Sequence, residues 1–217
     1  MAEPVLKLEN ISKEYSEQIL NDISFELEKG KSLCVMAPSG KGKSTLLSIA
    51  GLLLAPTAGN VYINGAETTA LNDDQKSKLR SETIGFLFQH TQLCGTLRAN
   101  DNVCLPAFFN KAESRLNKEE ISKQADALLE RFGLYERKYY FPNQLSIGQK
   151  RRIACARALF LNPELIIADE PTNDLDEKNK QTVIESLFEP VKAGTAALLY
   201  ATHDESVAKL ADEIIHI

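Results

Sequence analysis

The sequence predicts an α/β fold in which an antiparallel β subdomain and an inserted α-helical subdomain are added to a core with a parallel sheet. Three observations predict it. Short runs of alternating polarity fill the first part of the chain, residues 91–160 show mostly helical patterns, and continuous apolar runs return after them. We expect a single domain over residues 1–217, in which approximately 1–90 and 161–217 form the β subdomain and the α/β core.

The antiparallel strands are predicted first within residues 5–31, where short alternating runs are broken by Asn, Asp and Gly. Residues 59–67 continue this pattern, and Asn64 and Gly65 are predicted to form their hairpin turn. Residues 83–90 indicate a strand followed by a loop. These segments define the β subdomain and the entry to the helical section.

The helical section is marked most clearly by residues 117–134, which have helical periodicity, an Asn start and a Gly stop. Strand patterns return at 164–169, 195–203 and 213–217, and the first two are followed by helices. Their continuous apolar runs predict parallel strands that are buried on both faces.

The composition is that of an ordinary globular chain, with 43% hydrophobic and 25% charged residues. The formal net charge of −5 gives no general electrostatic reason to bind nucleic acid or anionic lipid. Local basic clusters, formed by Lys41, Lys43 and the run 150–152, lie near proposed phosphate-binding turns.

Four scattered cysteines lack metal-ligand and redox spacing, so we interpret them as reduced core or near-core residues of a cytosolic protein. They are Cys34, Cys94, Cys104 and Cys155. The N-terminus lacks the pattern of a secretory signal, and the longest apolar patch is far below the roughly 18 to 20 residues that span a bilayer. We therefore expect no direct membrane insertion.

Residues 35–47, VMAPSGKGKSTLL, predict a phosphate-binding loop between a strand at 33–36 and a helix at 44–53. Gly40 and Gly42 allow backbone N–H groups to converge on an anion at the helix N-terminus. Lys43 would reach the outer phosphates and Ser44 would supply an oxygen to Mg²⁺. The alternative is a chance turn rich in glycine and lysine.

Two carboxylates follow a later buried strand, in the sequence LIIADEPT. Asp169 would bind Mg²⁺ directly or through water, and Glu170 could orient and deprotonate an attacking water. An ordinary charged strand end is the alternative. Two carboxylates after a buried run are costly unless they are used, which favours the functional interpretation.

Five motifs together resemble the nucleotide-binding domain of an ATP-binding-cassette transporter. They are APSGKGKST, Gln89 after GFLF, LSIGQKRRIACARAL, LIIADEPTNDLD and ATHD. They stand in the family's order, and the resemblance covers the chain from Tyr15 to His203. The resemblance implies a P-loop NTPase fold with a RecA-like core, ATP hydrolysis, and ATP and Mg²⁺ as ligands.

The resemblance assigns the phosphates of ATP to the loop residues Ala37, Pro38, Ser39, Gly40, Lys41, Gly42, Lys43, Ser44 and Thr45. Tyr15, 22 positions before Ala37, would stack on the adenine ring. A plain surface or strand tyrosine is the alternative for this residue.

Gln89 would contact the metal or the attacking water while its loop senses the membrane partner; the alternative is a structural glutamine at a strand end. Together with Ser44 and Asp169, it would form the metal site. His203 would hydrogen-bond to the γ-phosphate, and its alternative is a satisfied histidine at a strand end. The implied catalytic set is Lys43, Gln89, Glu170 and His203.

The resemblance also implies a partner, a second copy of the chain in a head-to-tail nucleotide-sandwich dimer. Ser146, Gly148 and Gln149 would hold the terminal phosphate of ATP bound to that copy, although without the family they are simply a capped helix start. Asp176 would lie across the dimer seam, near the opposite phosphate loop. The alternative for Asp176 is an exposed turn aspartate.

Two residues depart from the family pattern. Ala37 stands where the first glycine of the loop is usual, but it ends the predicted strand, where a small residue is expected to suffice. Ile147 replaces a glycine of the signature, and its β-branched side chain restricts the backbone and could crowd a sandwiched nucleotide. We therefore expect Ile147 to affect the efficiency of dimer closure.

Residues 96–109, TLRANDNVCLPAFF, are similar to the ENV-x-LP stretch of ATPases for lipoprotein release, macrolide export and a cell-division transporter-like complex, with Asp101 in place of Glu. EPTNDLD is also similar to that group's EPTGNLD. The implied partner is an integral membrane transporter subunit, which would hold the chain on the cytoplasmic face of the cell (inner) membrane. The alternative is that any importer or exporter ATPase shares these short stretches.

Three functional classes are compared. The first is an energy-coupling ATPase that moves a separate membrane protein. The second is a nucleotide-gated regulatory module with low turnover, which Ile147 favours and which the intact Glu170 and His203 oppose. The third is an ATPase acting on nucleic acid or the ribosome; such proteins generally carry two cassettes or long coiled-coil insertions, so we expect no nucleic-acid partner.

Overall fold

The computed structural model describes residues 3–38, 40–110 and 117–217. Two β-sheets carry the described fold, one antiparallel and one parallel. Seven α-helices and three short 3₁₀ segments accompany the sheets in these ranges. The predicted α/β fold class is confirmed.

The antiparallel sheet contains four strands in the spatial order β2-β1-β4-β5. Its strands are β1 (Leu6–Glu14), β2 (Gln18–Leu27), β4 (Ala58–Ile63) and β5 (Ala66–Glu67). Asn64 and Gly65 join the last two strands with φ angles of 48° and 73°. Positive φ at both central residues is the requirement of the tight hairpin turn predicted for this pair.

The second sheet is parallel throughout and has the spatial order β6-β7-β8-β3-β9. Its strands are β3 (Ser32–Met36), β6 (Ile84–Leu87), β7 (Leu165–Asp169), β8 (Ala197–Ala201) and β9 (Glu213–His216). Every residue of β7 and β8 is buried. The continuous apolar runs therefore predicted this sheet correctly.

Helices cover both faces of the parallel sheet. They are α1 (Lys43–Ala50), α2 (Asp73–Thr83), α3 (Ala99–Cys104), α4 (Lys118–Arg131), α5 (Ile147–Leu159), α6 (Glu177–Lys192) and α7 (Glu205–Ala208). The 3₁₀ segments are Leu105–Phe108, Tyr135–Arg137 and Pro142–Gln144. The chain between β6 and β7 thus carries α3, α4 and α5, as the helical patterns predicted.

The helix ends follow local capping signals. Asn117 caps α4 by accepting the N–H of Glu120, and Gly133 adopts a φ of 65° just after its end, as predicted. Helix α1 ends at Ala50, earlier than expected, because Leu52 takes a positive φ of 58°. Helix α2 was missed in the sequence, although the Asn72 and Gln75 capping box marks its start.

Two hydrophobic cores lie on opposite faces of the parallel sheet. Along β3, Leu33 and Val35 belong to the core shared with the antiparallel sheet and α1, whereas Cys34 belongs to the core shared with the helices α3 to α6. Cys34, Cys104 and Cys155 are buried, as expected, but Cys94 is exposed because it lies in the loop between β6 and α3. Among the described residues, no helix combines the length and the apolar character needed to cross a bilayer.

Candidate nucleotide site

A polar cleft opens at the carboxyl ends of the parallel strands, where α/β proteins commonly bind their ligands. Its volume is about 260 Å³. The lining residues are Tyr15, Ile19, Gly40, Gly42, Lys43, Ser44, Thr45, Gln89, Asp169 and Glu170. The structure therefore brings together residues that the sequence predicted from four separate segments.

The phosphate loop connects β3 to α1, as predicted. Gly40 and Gly42 have φ angles of 79° and 94°, which disfavour other residues. A Cβ at Gly42 would also lie 2.9 Å from Cδ2 of Leu20, so this position has no room for a side chain. Ser39, which was predicted to bind phosphate, lies outside the described residues.

Ala37 is accommodated in the loop without strain. It is not one of the positions with positive φ, which explains why alanine can replace the usual glycine there. Its carbonyl accepts a hydrogen bond from Nζ of Lys43 at 2.5 Å. Lys43 is only 8% exposed, and this hydrogen bond holds its ammonium group beside the loop.

Ser44 and Asp169 meet at the floor of the cleft. The Ser44 hydroxyl donates to Oδ2 of Asp169 at 2.5 Å. Burial raises the pKa of Asp169, and the hydrogen bond from Ser44 opposes this effect. A hydroxyl and a carboxylate side by side, next to a phosphate loop, fit Mg²⁺, which is commonly held by few protein oxygens together with substrate phosphates.

Glu170 is held in an uncommon backbone conformation, with a φ of 47°. Its N–H donates to the carbonyl of Ala201 at 2.9 Å, and the residue is only 7% exposed. Oε1 lies 2.9 Å from Nδ1 of His203, so an Nδ1–H would donate to the carboxylate. The structure thus pairs the two residues predicted to act on the attacking water and the γ-phosphate.

Tyr15 and Gln89 are exposed at the rim of the same cleft. Tyr15 follows β1, and the ammonium of Lys13 lies 5.1 Å from its ring centroid. Gln89 follows β6, beside Asp169 and Glu170. Both positions are compatible with the predicted contacts to adenine and to the metal or water.

The signature residues lie apart from this cleft, in a second groove. Ser146, Gly148, Gln149 and Asp176 line it together with Ile147, whose side chain is largely exposed. Neither the P-loop residues nor Glu170 line this second groove. One chain therefore does not bring the two predicted sets of phosphate ligands together.

The signature residues also cap helices. The hydroxyl of Ser146 accepts the N–H of Gln149 at 3.3 Å at the start of α5. The carboxylate of Asp176 caps α6 by accepting the backbone N–H of Asn179 at 2.9 Å, and it also accepts the side-chain amide of Asn179. These two hydrogen bonds lower the pKa of Asp176. Asp176 is thus a helix cap in this chain, not simply a turn aspartate.

The basic residues 150–152 were expected to form a local basic cluster near phosphate, but two of them contact the protein's own backbone. Arg151 is only 2% exposed, and Arg152 donates through Nη1 to the carbonyl of Phe132. No pattern in the sequence indicates that these arginines donate to backbone carbonyls. Two of the three basic side chains therefore belong to the packing of α5.

The P-loop lies between the parallel strand β3 and helix α1, and the acidic Asp169 ends β7, two strands away from β3 in the sheet. This arrangement defines an ATP- or GTP-hydrolysing protein of the P-loop class. The family model for the ABC transporter matches residues 20–173. The chain belongs to the ABC transporter family. Its activity is that of the ATP-binding, ATP-hydrolysing subunit, with ATP and Mg²⁺ as its ligands.

Curated relatives match across the whole chain. The lipoprotein-releasing system ATP-binding protein LolD of Bacteroides thetaiotaomicron is 38% identical over 214 residues, which cover 98% of this chain and 96% of that protein. The macrolide export ATP-binding/permease protein MacB of Bartonella henselae is 40% identical over 221 residues. The chain spans 33% of the length of that MacB, so it corresponds to only one part of that longer protein.

A solved structure has the same fold. The ATP-binding cassette MJ0796, a protein of Methanocaldococcus jannaschii, is described in a dimeric, post-hydrolysis state bound to ADP and Pi. It superposes with a TM-score of 0.93 at 37% identity, covering 98% of this chain and 94% of that one. These comparisons favour the energy-coupling ATPase over the nucleotide-gated regulatory module.

Proposed function

We propose that this chain drives a separate membrane subunit for export, lipoprotein release or mechanotransmission, by closing and reopening a dimer around ATP. The observation that carries the proposal is the pair of contacts in the cleft, from Ser44 to Asp169 and from Glu170 to His203. These contacts support the proposal because Ser44 and Asp169 would bind the metal, Glu170 and His203 would act on the attacking water, and both pairs lie near one phosphate loop.

The proposed reaction begins with ATP on the loop. Lys43 would leave the carbonyl of Ala37 and turn its ammonium to the outer phosphates, while Ser44 and Asp169 would hold Mg²⁺. When bound, Mg²⁺ would supply positive charge to the phosphate oxygens. Glu170 accepts a proton from the attacking water as the new P–O bond forms and the bond from the γ-phosphorus to the ADP oxygen breaks.

The proposed dimer explains why the signature groove is separate from the cleft. In a head-to-tail arrangement, Ser146, Gly148 and Gln149 of one copy would face the γ-phosphate bound to the other copy. Helix α5 begins there, so the N–H groups of its first turn and the helix dipole favour an anion. The dimeric state described for MJ0796 is the kind of assembly that this proposal requires.

The proposed contact with the membrane subunit lies on residues 96–109. Asn102, which is fully buried, donates to the carbonyls of Cys94, Leu97 and Arg98 and so fixes the preceding loop. Phe108 and Phe109 are 60% and 72% exposed. A rigid segment that presents two exposed aromatic rings is suited to bind a partner protein.

The chain would sit on the cytoplasmic face of the inner membrane through this partner, and residues 1–217 would act as one domain with the helical subdomain at 91–160. Copurification from detergent-solubilised membranes, followed by mass spectrometry, tests the proposal. We expect transmembrane subunits with a large extracytoplasmic domain. A compact importer permease would contradict the assignment to the release and export group.

Ile147 provides a direct test of the dimer seam. Since Ile147 is 63% exposed and lines the signature groove, we expect its side chain to limit the approach of the two copies. Ile147→Gly should raise basal ATPase activity, about threefold if closure gains ~0.7 kcal/mol, with little change in the ATP affinity of the monomer. Phosphate release and calorimetry measure the two quantities.

The control for this variant is Ile147→Ala, because glycine also adds backbone freedom that opposes the gain. Alanine removes most of the bulk and keeps a good helix former at the first position of α5. Both variants should turn over faster than the wild type. Equal or lower turnover in both, at matched folding stability, would mean that Ile147 is accommodated in the closed dimer.

A further inference from the structure

Arg151 connects helix α5 to the backbone of Glu170. Its Nη2 donates to the Glu170 carbonyl at 2.9 Å, and its Nη1 donates to the Phe88 carbonyl at 2.7 Å. We propose that Arg151 is a positioning residue for ATP hydrolysis, which fixes the peptide that carries Glu170 and so aims its carboxylate. The proposal rests on the proposed role of Glu170 as the base.

The backbone of Glu170 needs such support. Its φ of 47° lies in the left-handed region, which a non-glycine residue adopts only when the surrounding structure requires it. The peptide N–H is held by the carbonyl of Ala201, and the carbonyl is held by Arg151. With both ends of the residue fixed, the side chain can hold its direction towards the cleft.

The charge of Arg151 strengthens this support. Burial lowers the pKa of Arg151, while the carboxylates of Asp174, Asp169 and Glu170 act in the opposite direction. Hydrogen bonds from an ionised donor are stronger than those between neutral groups. The positive charge of Arg151 thus strengthens the hydrogen bond that holds the Glu170 carbonyl.

Phe88 gives the guanidinium its second anchor. The Phe88 carbonyl lies just after β6 and one residue before Gln89, so Arg151 links the ends of the neighbouring strands β6 and β7. The planar guanidinium presents its N–H groups in a fixed arrangement, so two carbonyls held at once define its orientation. A displacement of α5 would therefore move the peptide of Glu170.

Arg157 offers a matched control on the same helix. Its Nη1 and Nη2 donate at 2.9 Å to the carbonyls of Gln92 and Thr91. Burial lowers its pKa as it does for Arg151. The two arginines therefore make the same kind of contact from α5, but only Arg151 binds the peptide of Glu170.

The first experiment compares Arg151→Met with Arg157→Met in the full chain, using basal Mg-ATP hydrolysis, KM and thermal unfolding. We expect kcat of Arg151→Met to fall about 10- to 100-fold, because misplacing a reacting group by about 1 Å can cost about 100-fold. KM should change less than about twofold. For Arg157→Met we expect a similar loss of thermal stability but a kcat within about twofold of the wild type. A wild-type kcat in Arg151→Met, or an equal fall in both variants, would overturn the proposal.

The second experiment asks whether Arg151 acts through Glu170. Single-turnover hydrolysis is measured for Glu170→Gln, Arg151→Met and the double variant. We expect the Arg151 substitution to lose most of its effect once Glu170 is replaced, because no base is left to position. An undiminished effect in the Glu170→Gln background would show that Arg151 does not act through Glu170, and would also overturn the proposal.

Arg151→Lys tests the same proposal if Arg151→Met does not fold. Lysine keeps the positive charge, but its single ammonium cannot present two N–H groups in the same fixed geometry. A reduced kcat at unchanged KM would support the positioning role, and a wild-type kcat would contradict it. If Glu170→Gln itself had full activity, the proposed role of Glu170 would fail, which is distinguishable from a failure of Arg151 alone.

Discussion

Lys43→Ala is expected to abolish ATP hydrolysis and to weaken Mg-ATP binding sharply. Lys43 lies in the phosphate loop and is only 8% exposed, where its ammonium donates to the carbonyls of Ala37 and Pro38. When ATP binds, the same ammonium would be the loop's charge aimed at the outer phosphates. Hydrogen bonds to charged groups contribute ~1.5–3 kcal/mol, so binding should weaken about 10- to 100-fold. Calorimetry with Mg-ATP and a phosphate-release assay measure both effects.

The protein should remain folded when Lys43 is replaced, because the loop backbone is held by its own glycine conformations and by α1. Removing the ammonium also removes the cost of keeping a charge in a nearly buried position. The control is Lys209→Ala, at the exposed end of α7 and outside the cleft. Unchanged binding by Lys43→Ala, measured at the same folded fraction, would show that the loop does not hold the phosphates as proposed.

The fold was predictable wherever a local pattern alone decides the structure. The apolar runs of β7 and β8 can lie only in a sheet covered on both faces, and Asn64 with Gly65 requires a tight hairpin. Helix α2 was missed because it is polar almost throughout, and only Thr83 within it is buried. Its sole strong signal is the capping box at Asn72, which hydrophobic periodicity does not detect.

The sequence assigned residues from separate segments to one site, and several of them line one cleft, but it did not predict the contacts between them. Ser44 and Asp169 could be assigned to one metal site because Ser44 lies at the start of the helix after the phosphate loop and Asp169 ends a buried strand. The contact between Glu170 and His203 joins residues 33 positions apart, and the hydrogen bond from Arg151 to Glu170 joins helix α5 to the end of β7. Such pairs are determined by strand order and helix packing, which sequence spacing does not reveal.

Tertiary structure also determines which individual side chains are exposed to solvent. Cys94 was expected in or near the core, yet it lies in an exposed loop whose backbone is held by the buried Asn102. Arg151 was expected in a basic cluster near phosphate, yet it is almost fully buried. In both cases the residue type gave the wrong expectation, because neighbours distant in the sequence determine which side of an element is covered.

Glu170→Gln is expected to keep ATP binding and to slow turnover by about 10²- to 10⁴-fold, the usual contribution of a positioned general base. The amide has nearly the shape of the carboxylate and can still contact His203, but it cannot accept the proton of the attacking water. The backbone contacts of Glu170 to Ala201 and Arg151 do not involve the side chain, so the fold should be retained. Glu136→Gln, an exposed position on a 3₁₀ segment of the helical section, is the control.

The slowed variant also tests the sandwich dimer, because ATP that is bound but not hydrolysed holds the two copies closed. We expect Glu170→Gln to accumulate as a dimer when Mg-ATP is added, and to return to monomer when nucleotide is removed. Light scattering measures the mass, and bound nucleotide is quantified in the same sample. A monomer with confirmed ATP occupancy would contradict the proposed role of Ser146, Gly148 and Gln149 in holding the partner's nucleotide. Wild-type turnover would instead exclude Glu170 as the base, so the two proposals can fail separately.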